Sequence, residues 1–180
     1  MDVYFQNPME KTIAIGVSKI INKYNVEPGN ENIASRIYKN LWLGNKYAAA
    51  DRAFCNNISH IVNATTNLPN SWNDITYLNI PITDGMACES NLFSSMMDGA
   101  VFIHDNLSMK KSVLVHCKRG HHRSASIVAL YLMIFHGSTF LQAVEHIKII
   151  RPTAFRRMSC MMKELIKFEA FRIKNQHSSY

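Results

Sequence analysis

Closely spaced cysteines are missing from this chain. Its four, Cys55, Cys88, Cys117 and Cys160, stand far apart, with no Cys-x-x-Cys pair and, apart from His116 next to Cys117, no histidine at metal-ligand spacing. A zinc site is disfavoured, and a reducing interior, where a free thiol survives, is expected. No segment approaches the length needed to cross a bilayer, and the N-terminus has no basic run leading into an apolar stretch and a small-residue cleavage site. The expected location is therefore intracellular, first the cytoplasm, with the nucleus also open. Repeats, low-complexity tracts and any mark of a second domain are absent, and 180 residues at 47% hydrophobic suffice for one core of ordinary size. Acidic residues are scarce, 13 against 20 Lys and Arg, for a formal charge of +7. That balance favours acidic partners such as phosphoproteins, phosphoinositides or RNA without choosing among them.

Met9 to Tyr24 carries Ile13, Val17, Ile20 and Ile21 at helical spacing and is closed by Glu27-Pro28-Gly29-Asn30. It reads as an N-terminal helix joined by a linker, either packed on the domain's own surface or serving as a docking arm or homodimer contact. From Ser35 onward, strands are expected at 36–38, 41–43, 60–64, 75–80 and 113–116. They interleave with helices at 46–55 and 91–108, and helices follow at 124–135, 139–150 and 160–174. The pattern predicts a single α/β domain with a mostly parallel central sheet flanked by helices.

The richest segment runs from Ser112 to Ser126, SVLVHCKRGHHRSAS: an apolar strand into His116 and Cys117, a loop containing Gly120, then Arg123 and Ser124 opening a helix. A catalytic thiol needs its anion stabilised, and converging amides, a helix N-terminus and neighbouring cations all do so. Lys118, Arg119, His121, His122 and Arg123 crowd this loop, and Gly120 permits the torsion that a tight cradle demands. Arg123 can hold two phosphate oxygens as a planar fork. The combination is a socket for a tetrahedral dianion with a nucleophile at its floor. Asp84, in the loop Pro81-Ile82-Thr83-Asp84-Gly85, is the candidate proton donor; Asp74, Asp98 and Asp105 fit less well.

His-Cys-x-x-Gly-x-x-Arg-Ser resembles the signature loop of the cysteine-based protein tyrosine phosphatases, and Ala125 to Met133 (ASIVALYLM) is similar to their dual-specificity branch. The resemblance extends to Ile37–Asn45, Ile61–Thr65, Arg151-Pro152 and Leu165–Glu169, roughly Ser35 to Phe171. It implies a catalytic domain at 33–174, between an arm and linker at 1–32 and a tail at 175–180. It further implies a two-step mechanism without metal or organic cofactor. Cys117 attacks phosphorus, Asp84 acts as acid and then as base, and Arg123 with the amides of residues 118–123 holds the equatorial oxygens. His116 braces the loop, and Ser124 donates to the departing sulfur. Phosphotyrosine and phosphoserine or phosphothreonine in proteins are the implied substrates.

Two features pull elsewhere. Lys118-Arg119 and His121-His122 make the loop unusually basic, which shifts the resemblance towards relatives acting on phosphoinositides or inositol pyrophosphates; relatives acting on RNA 5′ ends also use basic pockets. Where dual-specificity members usually carry Pro-Asn, this chain has Arg157-Met158 beside Arg156. Arg156 and Arg157 are either cationic recognition groups at the pocket rim or solvated surface charges. A non-catalytic phosphate-binding module and a nucleic-acid binder remain as non-enzymatic alternatives. Cys88 is either a redox partner for Cys117 or an inert small hydrophobe, and Cys55 and Cys160 fit helix packing.

Overall fold

The computed structural model describes residues 5, 7–26, 32–83 and 90–176. Among these, five strands form one sheet: β1 (Ala34–Tyr38), β2 (Leu41–Gly44), β3 (His60–Asn63), β4 (Thr76–Asn79) and β5 (Val113–His116), in the order β1-β2-β5-β3-β4. Only β1 runs antiparallel to its neighbour. The central strand β5 pairs with β2 from Leu41↔Val113 to Gly44↔His116 and with β3 from His60↔Val113 to Asn63↔His116. A strand paired on both edges and covered on both faces favours apolar residues; Val113, Leu114 and Val115 are apolar, and all four residues of β5, His116 included, are buried. The α/β architecture with a mostly parallel sheet, as the alternating pattern predicts, is thus observed. It delivers Cys117 to the carboxyl end of the middle strand, where ligands bind in open α/β sheets.

Side-chain alternation sorts the helices onto two faces. Ile61 and Leu114 face a small cluster with Ala48, Ala49 and Cys55, from α2 (Lys46–Ala50) and α3 (Arg52–Cys55). Val62, Val113 and Val115 join the main core, which is built by α1 (Pro8–Lys23), α4 (Leu92–Ser108), α5 (Arg123–Phe135), α6 (Phe140–Ile150) and α7 (Cys160–Gln176). Buried continuously from Arg123 to Met133, α5 is the hub.

The helix expected at 46–55 is two. The Asp51 carboxylate accepts from the amides of Ala53 (2.9 Å) and Phe54 (3.3 Å) and its backbone is extended, so the chain is recapped where a continuous helix would have run. The apolar face of α1, Ile13, Ala14, Val17 and Ile21, is buried within the chain's own core, and α1 packs on α6 and α7. A Cβ on Gly16 would lie 2.6 Å from Leu141 Cδ2, which shows how closely α1 approaches α6. Tyr24 Oη donates to Glu145 at 2.9 Å at the end of this contact.

Candidate active site

Cys117 follows β5 directly and is 2% exposed, at the floor of a cavity of about 350 Å³. Two donors reach its sulfur: the Gly120 amide and the Ser124 hydroxyl, each at 3.2 Å from Sγ. The cavity is lined by Cys117, Arg119, His121, His122, Arg123, Arg156 and Arg157, with no acidic side chain among the described residues. The sequence-predicted loop and the two candidate rim arginines therefore surround one space. Lys118 and Gly120 contribute backbone to the loop and do not line the cavity, while His116 and Ser124 are buried behind it.

What opens the loop inward is the fate of its carbonyls. Lys118 O accepts from the Lys46 amide (3.3 Å), Arg119 O from Arg151 Nη2 (3.3 Å) and Gly120 O from Arg151 Nε (3.0 Å). His121 O accepts from the Phe155 amide and His122 O from the Ser126 amide, both at 2.8 Å. Five successive carbonyls engage donors outside the loop, so the opposite edge of the peptide planes, the N–H edge, is left to serve the pocket. Gly120, at φ +69°, makes the turn. A Cβ there would sit 2.6 Å from Gly44 O and 2.8 Å from the Arg151 guanidinium, a backbone clash as well as an unfavourable torsion.

Sequence reasoning passed over Arg151 as a brace. Arg151 is 2% exposed, and its guanidinium also donates to Asn32 O (2.9 Å) and Ser35 Oγ (3.3 Å), tying the signature loop to the start of β1. Lys148 plays a similar part in the connection from α6 to α7. Fully buried, it donates from Nζ to Pro152 O (2.7 Å) and Ala154 O (2.9 Å), and burial, followed by Arg156, pushes its pKa down to about 8. Phe155, in the same connection, holds a left-handed backbone at φ 52° with its side chain fully buried. The available signals were a cation alone in the apolar run Ile147-Lys148-Ile149-Ile150 and an arginine before Pro152, where a helix must stop.

Burial is the main cause that lowers the His116 pKa to about 4; a backbone hydrogen bond with Cys117 opposes the shift and Arg123 adds to it. The imidazole is neutral at physiological pH. Arg123 Nη1 donates to Ile82 O at 3.3 Å, which brings the segment leading to residue 84 beside the guanidinium. Asp84 and Cys88 lie outside the described residues. Asp74 is engaged by Arg52 in two bonds of 2.9 and 2.7 Å, away from the site, while Asp98 and Asp105 sit on α4. Cys117 is a free thiol rather than a disulfide partner, as is Cys55, whose Sγ donates to Ala48 O at 3.3 Å. Cys160, expected as a packing thiol, is instead disulfide-bonded. No helix among the described residues is long and apolar enough to cross a membrane.

Comparison with known proteins meets this geometry. The family described as "Dual specificity phosphatase, catalytic domain" matches residues 41–171. Dual specificity protein phosphatase 1 of Arabidopsis thaliana is 34% identical over 128 residues, 69% of this chain and 64% of that protein. Dual specificity protein phosphatase 18 of Mus musculus is 32% identical over 139 residues, 75% of this chain and 72% of that protein. This chain thus spans slightly under two thirds of the length of the plant relative. The solved structure of DUSP15 superposes with a TM-score of 0.70 at 27% identity, covering 82% of this chain and 96% of that one.

Proposed function

From a chain that belongs to the dual-specificity phosphatase catalytic-domain family, we propose an enzyme that hydrolyses phosphotyrosine and phosphoserine or phosphothreonine in proteins through a phosphocysteine intermediate. The observation that carries it is the sulfur of Cys117 at the floor of a cationic cavity, under two hydrogen-bond donors and beside Arg123.

In the first step the Cys117 thiolate forms the S–P bond as the ester P–O bond breaks, and Asp84 protonates the leaving oxygen. In the second, Asp84 takes the proton of a water that attacks phosphorus, and the S–P electron pair returns to sulfur. Arg123 and the amides of residues 118–123 stabilise the equatorial oxygens, where charge accumulates in both transition states. The Ser124 hydroxyl, 3.2 Å from Sγ, supports the departing sulfur in the second step. His116, buried and neutral, supports the strand end from behind. The approach of Ile82, two residues before Asp84 in the sequence, to Arg123 supports Asp84 as the acid. No step calls for a metal or an organic cofactor.

The second reading, a polyanionic non-protein substrate such as a phosphoinositide, an inositol pyrophosphate or an RNA 5′ phosphate, is favoured by one observation: Arg156 and Arg157 line the same cavity as Cys117. Phosphate release from matched phosphotyrosine and phosphothreonine peptides, phosphoinositides, inositol pyrophosphates and 5′-triphosphorylated RNA, with Cys117→Ser as blank, separates the two. Preference for peptides supports the protein phosphatase, and preference for a polyanion replaces it. Turnover by Cys117→Ser within about tenfold of wild type would overturn the covalent mechanism. Asp84→Ala is expected to slow hydrolysis by about 100-fold, most for poor leaving groups; an unchanged rate on phosphopeptides moves the acid elsewhere.

A further inference from the structure

A second cavity, of about 360 Å³, lies at the opposite end of the sheet, where the β1–β2 turn and the α4–β5 turn meet the end of α5. Its volume falls within the range of sites that take small molecules. Five rings line it in one unbroken series of contacts. Tyr38 meets His136 edge-on at 4.7 Å between centroids, and His136 meets Tyr131 at 5.1 Å. Tyr131 meets Phe135 at 5.7 Å, and Phe135 stacks on His104 at 4.0 Å and 7°. The series runs from core to solvent: Tyr131 is buried in the main core, Tyr38 is 47% exposed and His136 is exposed, and the cavity lies between these rings and the two turns.

The rim is cationic, and the backbone of its two turns is fixed. Lys39 and Lys110 line the cavity, and none of the described lining side chains is acidic. Asn40 and Lys110 both hold left-handed torsions, φ 62° and 59°. Those turns are locked by Val113 N donating to Asn40 O (2.8 Å) and Lys110 N to Leu107 O (2.9 Å). Tyr131 Oη and His136 Nε2 share a hydrogen bond of 2.9 Å inside. Burial, with His104 and His146 nearby, holds the His136 pKa below the ordinary value, and Lys39 and Lys110 bring formal positive charge to the cavity.

We propose that this cavity is a second binding site, separate from the catalytic pocket, for a flat aromatic anion of about the size of a nucleoside monophosphate: the ring lies among Tyr38, Tyr131, Phe135 and His136, and the phosphate meets Lys39 and Lys110. An aromatic platform with a cation beside it suits a ligand with a π-face at one end and negative charge at the other. The site stands whether or not the catalytic proposal does. α5 spans the distance between the two places, beginning at Arg123 and Ser124 beside the catalytic loop and ending, about 20 Å away, at Phe135 in the second cavity.

The test is calorimetric titration of the full-length Cys117→Ser protein, which does not consume phosphate esters, with AMP, adenosine and ribose 5-phosphate. AMP is expected to bind with Kd between about 10 μM and 1 mM, and the two fragments at least about tenfold more weakly. Added singly to that protein, Tyr38→Ala and Lys110→Glu should each weaken AMP about tenfold, while Arg156→Ala leaves it unchanged. Lys110 is exposed, so its substitution keeps the test valid even where Tyr38→Ala does not fold. Weakening by Arg156→Ala and not by Lys110→Glu would place AMP in the catalytic pocket and overturn the proposal. Adenosine binding as tightly as AMP, or no heat of binding up to millimolar AMP, would also overturn it.

Discussion

The floor and the rim of the proposed catalytic pocket are cationic alike and built by opposite means. At the floor, His116, Cys117, His121, Arg123 and Ser124 are all buried, and the loop carrying them is held through its carbonyls by Arg151, Phe155 and Lys46. At the rim, Arg157 is exposed and Arg156 half-exposed, on a connection anchored from beneath by Lys148 and Phe155. A buried, fully hydrogen-bonded loop is pre-organised and suits the stabilisation of a transition state. Exposed arginines in water contribute mainly to encounter and ground-state binding, and lose strength as salt is added. Damage to the floor should therefore appear in kcat, and damage to the rim in KM.

The largest test of that division is Arg151. Removing its guanidinium leaves Gly120 O, Arg119 O and Asn32 O without the partner they have now, at a cost of about 3 kcal/mol in stability. The loop amides then lose their inward bias. We expect kcat for an activated aryl phosphate to fall about 100-fold in Arg151→Ala, or about 2.7 kcal/mol, with KM changed little. Arg151→Lys should recover only a fraction, because an ammonium cannot serve four acceptors in a fork. A lower melting temperature with unchanged kcat would reduce Arg151 to a folding role and break the comparison.

The sequence made one half of this arrangement readable and hid the other. Cys117, Gly120, Arg123 and Ser124 are recognisable because nucleophile, turn residue, fork and helix start must follow one another along the chain, so their relation is local. The parallel sheet is legible for a similar reason, as β5 is apolar at successive positions and flanked by helical periodicity. The Arg151 brace spans 31 residues to Gly120 and 119 to Asn32, and no local pattern encodes such distances. The break at Asp51 was missed because apolar spacing continues across it while the side chain caps a new helix. Arg156 and Arg157 were equally compatible with surface and pocket until Phe155, bonded to His121 O, showed which way the connection turns.

His116 sharpens the floor side by separating stability from binding. Its folded pKa of about 4 lies below the ordinary histidine value of about 6.5, so between these limits the unfolded chain takes up the proton more readily. The stabilisation is complete above pH 6.5 and is lost as pH falls towards 4, by about 2 kcal/mol at pH 5. Urea unfolding of wild type and His116→Asn across pH 4.5 to 7 should show the variant with the shallower dependence, and KM differing little between them. Parallel pH profiles would mean that the imidazole is protonated without penalty, and that the floor is wetter than its burial indicates.

The rim carries the smallest effect and the one that bears most on substrate. Arg156→Ala and Arg157→Ala should each leave kcat nearly unchanged and raise KM by about tenfold, roughly 1.4 kcal/mol, for a substrate with a second phosphate near the scissile one. For a singly phosphorylated peptide the rise should be about threefold or less, because an exposed cation without a charged partner contributes little. Added salt should shrink the difference between wild type and variant, as screening removes what the mutation removes. The contrast with Arg151 is the decisive part, since three arginines within seven residues should divide between kcat and KM according to burial alone. If a rim substitution lowered kcat as far as Arg151→Ala does, the connection from α6 to α7 would belong to the catalytic framework, and the pocket would have no separate rim on which substrate choice could act.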